Sequence, residues 1–105
     1  PLTKELKTTM NSTIALADFV EVIPFPNPFT SNQYEVNISA NAKVKFQYIV
    51  TELNGNELYS KNFVIQQGHS TTHIIKLKNN LLPGTYINRL VFEDNSVKSF
   101  SVQKI

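Results

Sequence analysis

Residues 43–66 read KVKFQYIVTELNGNELYSKNFVIQ, and this stretch decides the fold. Apolar and polar side chains alternate through its first half, so that Val44 and Phe46 fall on one face of an extended chain. Such alternation is typical of a β-strand with one buried face. Asn54-Gly55 then separates two β-rich runs and favours a hairpin turn, because both residues tolerate positive φ. The stretch therefore predicts two antiparallel strands joined by a hairpin.

Further strands flank this hairpin on both sides. The same alternation recurs upstream in QYEVNIS and downstream in TTHIIKLK, GTYINRLVFE and SVKSFSVQKI. In the last of these, Val97 falls out of phase with Val102, which predicts a β-bulge near Lys98 or Ser99. About seven strands, with turns every ten or so residues, predict an all-β fold. We expect an immunoglobulin-like β-sandwich of antiparallel strands that begins at Phe19.

The first 18 residues, PLTKELKTTMNSTIALAD, are less clearly patterned than the rest. TTMNST reads as a polar linker, whereas Ile14 and Leu16 are placed to begin a strand that continues through Val20. We interpret residues 1–18 as a linker or upstream extension and residues 19–105 as the folded domain.

Three prolines, Pro24, Pro26 and Pro28, stand just before the strand QYEVNIS. Each lacks an N–H group and pushes the residue before it toward extended geometry. Such a stretch does not fit a central strand, but it can end an edge strand and turn the chain toward the other sheet. We expect a structural corner here, since the spacing of two also excludes the PxxP pattern of a polyproline ligand.

Composition excludes several classes of function. The chain has 105 residues, no cysteine and a net charge of +2. Neither a disulfide scaffold nor a thiolate zinc site fits a sequence without cysteine. The charge bias is too small to indicate nucleic-acid binding, and no apolar run approaches the roughly 20 residues of a membrane-spanning helix.

No residue pattern indicates catalysis, a metal or a cofactor. His69 and His73 stand four residues apart on a predicted strand, where their rings would lie about 13 Å from each other, too far to share one ion. Asp18 and Asp94 are the two aspartates of the chain, and no nucleophile motif accompanies them. We expect no enzymatic activity, no metal site, no cofactor and no small-molecule substrate.

The order of these features resembles the C-terminal sorting domain of proteins exported by the type IX secretion system of Bacteroidetes. In that family a YPNPF-like opening, a Y-D-x-x-G-K hairpin, an L-x-x-G-x-Y segment and a basic, aliphatic tail follow one another. The corresponding stretches here are VIPFPNPF, ELNGNEL, LLPGTYINRL and SVQKI. The family positions are assigned to Pro26, Asn27, Pro28, Asn54, Gly55, Leu82, Gly84, Tyr86, Val102, Lys104 and Ile105.

The resemblance implies a transit label and not an enzyme. Such a domain would pass through the periplasm and be recognised by the outer-membrane translocon. A sortase-like protease would then typically remove it at the cell surface, so that the protein is secreted or surface-attached. We expect this cut within residues 1–18, because proteases prefer unstructured polar stretches. Some family members retain the domain and act in the secretion machinery or in signalling.

The last strand offers a receptor its backbone edge and its alternating side chains. We expect β-augmentation, or reading of the C-terminus, with Val102, Lys104 and Ile105 as the recognition residues. On this hypothesis, removal of residues 101–105 abolishes export without unfolding the domain. The alternative is an immunoglobulin-like extracellular binding or spacer module, and exposed edge strands would also permit a homodimer.

Overall fold

Two antiparallel sheets pack face to face in the computed structural model, which describes residues 14–105. The strands are β1 (Val20–Phe25), β2 (Gln33–Ala40), β3 (Val44–Glu52), β4 (Glu57–Ile65), β5 (Ser70–Lys76), β6 (Gly84–Phe92) and β7 (Val97–Lys104). One sheet has the order β1-β2-β5, and the other has the order β4-β3-β6-β7. This arrangement is an immunoglobulin-like β-sandwich of seven antiparallel strands, and the predicted fold class is confirmed.

The core lies between the sheets and consists of the inward-facing residues of each strand. In β2 and β3 the burial alternates as the sequence predicts, with Val36 and Phe46 among the buried residues. The ring centroid of Phe46 lies 5.6 Å from that of Phe63 on β4 and 5.2 Å from that of Phe92 on β6. One aromatic side chain on β3 therefore joins three neighbouring strands, and aromatic pairs at these separations add to the stabilisation from apolar burial.

A buried asparagine stands in the middle of this apolar core. Asn88 on β6 is fully buried, and its Oδ1 accepts hydrogen bonds from the hydroxyl groups of Tyr34 at 2.5 Å and Tyr48 at 2.6 Å. An amide oxygen has two lone pairs, so one atom satisfies two hydroxyls. Tyr34 comes from one sheet and Tyr48 from the other, and burial raises the pKa of both phenols. Both therefore remain protonated donors.

The proline segment ends an edge strand and forms the predicted corner. Among the described strands, β2 is the one that pairs with β1. The backbone N–H and C=O groups of β1 point alternately toward β2 and away from it, and the nitrogen of Pro24 faces away. The missing N–H of this proline therefore costs no hydrogen bond between the two strands. Beyond Phe25 the chain crosses to the other sheet, where Phe29 forms a bridge with Lys104 before the chain returns to β2.

The bulge predicted in the last strand is wrong. β6 and β7 keep one register along their whole length, with no irregularity at Lys98 or Ser99. Val97 is exposed, so its apolar side chain points to solvent and needs no change of phase to reach the core. The register shift in this sheet lies between Val50 and Thr51 of β3 instead.

A short 3-10 helix, Leu16–Phe19, precedes β1 and packs on the β6–β7 turn. The N–H of its first residue donates to Oδ2 of Asp94 at 2.9 Å, and the N–H of the buried Ala17 donates to Oγ of Ser96 at 3.1 Å. The sequence placed this segment in a linker or at the start of a strand, whereas it belongs to the packed domain. The rest of the predicted linker, residues 1–13, lies outside the described residues. No helix in the described part of the chain is long and apolar enough to cross a membrane.

Replacing Asn88 by leucine should destabilise the fold, because two buried hydroxyls lose their acceptor. The expected loss in the free energy of unfolding is about 1–3 kcal/mol for each hydroxyl, measured by urea unfolding. Adding Tyr34→Phe and Tyr48→Phe to Asn88→Leu should recover a large part of this loss, since no buried polar group then stays unpaired. A triple variant that is no more stable than Asn88→Leu would contradict this account.

The contact between the 3-10 helix and the β6–β7 turn should make stability depend on pH. The Ser96 hydroxyl, and after it the Leu16 N–H, hold the pKa of the Asp94 carboxyl below its usual 3.8. A depressed folded-state pKa stabilises the fold fully above the unfolded value, and this contribution is lost as the pH falls through the folded value. Asp94→Asn should therefore be less stable than the wild type near neutral pH, and the difference should shrink below pH 3.8. Urea unfolding of both proteins between neutral pH and pH values below 3.8 measures this difference in stability. A difference that does not change with pH would refute the assignment of the pH dependence to Asp94.

Candidate functional site

The positions assigned to family motifs lie far apart in the sequence but meet at one end of the sandwich. The β3–β4 hairpin, the start of β6 and the end of β7 are neighbours there, since Glu52 pairs with Tyr86 and Gly84 pairs with Lys104. Phe29 extends this row beyond β7 through its bridge with Lys104. We call this surface the motif end, and it comprises residues 26–29, 52–56, 82–86 and 102–105.

Three hydrogen bonds tie the proline segment to the outer edge of β7. The Gln103 N–H donates to Oδ1 of Asn27 at 2.9 Å, and the Gln103 carbonyl accepts from the Phe29 N–H at 2.9 Å. The Ile105 N–H donates to the Phe29 carbonyl at 3.0 Å. We call these bonds the Asn27–Phe29 clamp. Because they use backbone groups of β7 that face away from β6, the last part of β7 is a covered edge.

The side chain of Phe29 anchors the clamp in the core. It is fully buried, and its ring centroid lies 5.0 Å from that of Tyr34 and 6.5 Å from that of Tyr86. Full burial of such a side chain stabilises the fold by about 1.5–3 kcal/mol. Pro28 biases Asn27 toward extended geometry. The stiff proline stretch thus positions one polar and one apolar side chain against the other sheet.

Tyr86 closes the corner between β5 and β6. Its hydroxyl donates to the carbonyl of Leu82, which is the tyrosine-corner arrangement of immunoglobulin-like sandwiches. Burial, and after it the Glu52 carboxylate, raise the pKa of Tyr86. The Leu82 side chain is exposed, whereas Leu81 is buried. Counted back from Gly84, the leucine of the L-x-x-G-x-Y pattern falls on position 81, so the assignment to Leu82 was one residue off and Leu81 is the match.

The Asn54-Gly55 hairpin is confirmed, but its loop is wider than a two-residue turn. β3 ends at Glu52 and β4 begins at Glu57, which leaves residues 53–56 in the loop. Gly55 has a φ of 89°, while Asn54 is not among the residues with positive φ. Asn54 Oδ1 instead accepts a hydrogen bond at 2.9 Å from the N–H two residues later. Glycine is therefore required at the second position of the pair, and asparagine serves as the side-chain acceptor.

The three predicted recognition residues have different surroundings. Val102 is fully buried, so its side chain is not available to a receptor. Lys104 is half-buried with its Nζ 3.3 Å from the Ile105 carbonyl, and the Ile105 side chain is 67% exposed. Removal of residues 101–105 would take Val102 out of the core and break the Asn27–Phe29 clamp. This deletion therefore attacks the fold and does not isolate recognition, contrary to the expectation from the sequence.

Three of the nine large apolar side chains that are exposed in the described part of the chain lie at the motif end. Leu53 and Leu82 are 73% and 75% exposed, and both line one open groove of about 350 Å³. The Glu52 carboxylate on the same groove is paired with Lys78 at 3.6 Å. Ile105 adds a third exposed apolar side chain at this end. The motif end therefore carries apolar surface that is exposed to water.

Two residues of this site were not singled out from the sequence. Phe29 lies at the end of VIPFPNPF. Its apolar side chain directly after the prolines was the one sequence feature that indicated a contact with the core. Gln103 contributes its backbone N–H and carbonyl to the clamp, and a backbone contact leaves no trace in the residue pattern.

The titratable residues considered for chemistry lie elsewhere. The His73 ring centroid is 4.5 Å from that of Phe63, and burial followed by the Lys61 charge lowers the pKa of His73. His69 is exposed in the turn before β5. Within residues 14–105, no three His, Asp or Glu side chains come close enough together to hold a metal ion.

If the alternative, an immunoglobulin-like binding module, were to bind sugars, it would need a row of exposed aromatic side chains. Phe25 is the one aromatic residue classed as exposed in the described part of the chain. Tyr34, Tyr48 and Tyr86 are buried, and Tyr59 is half-buried. The four tyrosines therefore lie in the core or pack against it, and they form no exposed row.

Breaking one clamp bond should loosen the end of β7. In Asn27→Ala the Gln103 N–H loses its acceptor, so we expect a loss of about 0.5–1.5 kcal/mol in the free energy of unfolding. The Gln103 amide should also exchange with solvent faster, as measured by NMR hydrogen exchange. Asn27→Asp keeps an acceptor oxygen and is the matched control. Unchanged protection of the Gln103 amide in Asn27→Ala would show that the clamp does not hold this edge.

No protein-family model matches the chain, and no curated protein matches it in sequence. Among solved structures it is similar to the β-glucosidase of Listeria innocua in complex with glucose, with 15% identity and a TM-score of 0.45 over 81% of this chain. A mutant of that enzyme in complex with laminaribiose gives 14% identity and a TM-score of 0.46 over 82% of this chain. The chain spans 16% of the length of these enzymes. Similarity at this level carries no argument about activity or substrate.

Proposed function

We propose that this chain is a C-terminal sorting domain of the type IX secretion class, recognised by the outer-membrane translocon. The observation that carries the proposal is the convergence of the motif stretches. The proline segment, the Asn54-Gly55 hairpin, the segment before Tyr86 and the last residues are dispersed in the sequence, yet they form one end of the domain.

The proposed role is one of recognition and not of catalysis. In transit the domain would be periplasmic, and the protein that carries it would then reach the cell surface or the medium. The partners are the translocon and a sortase-like protease that removes the domain. The 3-10 helix places a limit on that cut, because Leu16 and Ala17 are held by Asp94 and Ser96. We therefore place the cleavage site before Leu16.

The recognition surface we propose is the exposed part of the motif end. Lys104 is half-buried and Ile105 is exposed, so both offer a receptor some side-chain surface. Leu53 and Leu82 add exposed apolar surface at the same end. Removal of this apolar surface from water against a receptor would favour binding. Val102 retains a structural role, since its side chain lies wholly within the core.

A reporter fusion tests the function itself. Residues 1–105 are fused to the C-terminus of a fluorescent reporter that is exported to the periplasm of a bacterium with an intact type IX system. We expect the reporter at the surface or in the medium, dependent on the translocon and shortened by the mass of the domain. Export at full length would contradict the processing step and favour a retained domain that acts in machinery or signalling. Reporter held in the periplasm would overturn the proposal in favour of a binding or spacer module.

Substitutions at the motif end test where recognition occurs. Leu53→Ser with Leu82→Ser should lower export several-fold and leave the urea midpoint nearly unchanged, because both side chains already contact water. Val64→Ser with Ile74→Ser is the matched control, since these residues are 52% and 58% exposed and lie outside the motif end. The control should be exported like the wild type. Equal export of both double variants would exclude the leucines from recognition.

A further inference from the structure

The outer edge of β7 is open before the clamp begins. Within residues 14–105, β6 is the one strand that pairs with β7. The backbone groups of β7 alternate in direction, so the N–H and C=O groups of Val97, Ser99 and Ser101 face away from β6. Gln103 confirms this phase, because its outward groups are the ones bound by the clamp. Among the described residues, no backbone or side-chain group pairs with the outward groups of the three preceding positions.

A groove runs beside this edge, between the two sheets. It has a volume of about 330 Å³ and lies between β1, the edge of one sheet, and β7, the edge of the other. The half-buried side chains of Val22 and Phe100 give it an apolar wall on each side. Glu21 and Lys98 place one charge of each sign along it. An extended chain laid on β7 would direct every second side chain into this groove.

The two strands that flank the groove differ as templates for an added strand. β1 carries Pro24, which offers no N–H at an outward-facing position. β7 has no proline, and beyond its free stretch it already accepts the parallel bridge from Phe29 to Lys104. A strand added at Val97–Ser101 would therefore continue a pairing that the sheet has begun.

We propose that the outer edge of β7 from Val97 to Ser101 receives an extended strand of the translocon by β-augmentation, an inference that rests on the proposed function. Donors and acceptors that alternate along a straight edge match an extended polypeptide backbone. The added strand would become the fifth strand of the four-stranded sheet. It would place an apolar side chain against Val22 and Phe100, and it would end where the clamp covers Gln103.

The variant that tests this edge is Ser99→Pro. It removes an outward N–H and places a ring on the edge, but it takes no hydrogen bond from the β6–β7 ladder. With the reporter fusion, we expect translocon-dependent export to fall about tenfold, equivalent to about 1.4 kcal/mol of lost binding. Ser99→Thr keeps the N–H and should be exported like the wild type. Thr72→Pro places a proline at an outward-facing position of the β5 edge and should also leave export unchanged.

The outcomes separate this inference from the proposed function. If the wild-type fusion is not exported, the proposed function fails and the edge has no role in it. If the wild type and Ser99→Pro are exported equally, β-augmentation at this edge is overturned while the sorting function stands. Circular dichroism and urea unfolding of the purified Ser99→Pro domain test whether this variant is folded.

A second measurement serves if the proline variant does not fold. The chain has no cysteine, so Ser99→Cys introduces a single thiol that can be labelled with benzophenone maleimide. On illumination with outer membranes from the same bacterium, we expect the label to crosslink to a translocon subunit. The same label on Thr72→Cys should give no such product. Equal crosslinking from both positions, or none from Ser99→Cys, would overturn the inference.

Discussion

The contact between Phe29 and the end of β7 is the constraint on which the motif end depends. Asn27 and Gln103 are 76 positions apart in the sequence, and the hydrogen bond between them joins the edges of different sheets. A contact of this range is entropically costly to form, and the full burial of Phe29 offsets that cost. Without it the prolines would turn the chain with no partner, and the last residues of β7 would be an uncovered edge.

The same phenylalanine connects the motif end to the polar centre of the core. Its ring lies against Tyr34, and the Tyr34 hydroxyl donates to Asn88, which also binds Tyr48 from the other sheet. A polar group inside a core specifies alignment, because a slip of β6 by one residue would turn Asn88 to the outside and leave both hydroxyls unpaired. Tyr34 therefore contacts both Asn88, which fixes the register of β6, and Phe29, which anchors the clamp at the motif end.

Alternation and turn residues were sufficient to predict the strands, the hairpin and the proline corner, since each depends on neighbours in the sequence. The failures have physical causes of a different kind. An apolar residue such as Val97 can face solvent at the end of a strand without much cost in free energy. The alternation of apolar and polar residues therefore predicts the register poorly at strand ends. The clamp and the Asn88 hydrogen bonds join distant positions, and Gln103 takes part through its backbone. Asn88 did fall in the inward phase between Tyr86 and Leu90, and that was the one visible sign of it.

The 3-10 helix that begins at Leu16 marks one end of the domain, and the motif end is the opposite one. It packs on the β6–β7 turn, whereas the motif end lies where β6 begins and β7 finishes. The eight residues of β7 separate the two poles by about 26 Å. A polypeptide attached ahead of Leu16 is therefore held at the pole opposite the exposed leucines. A bulky passenger at that pole would leave the exposed leucines accessible to a receptor.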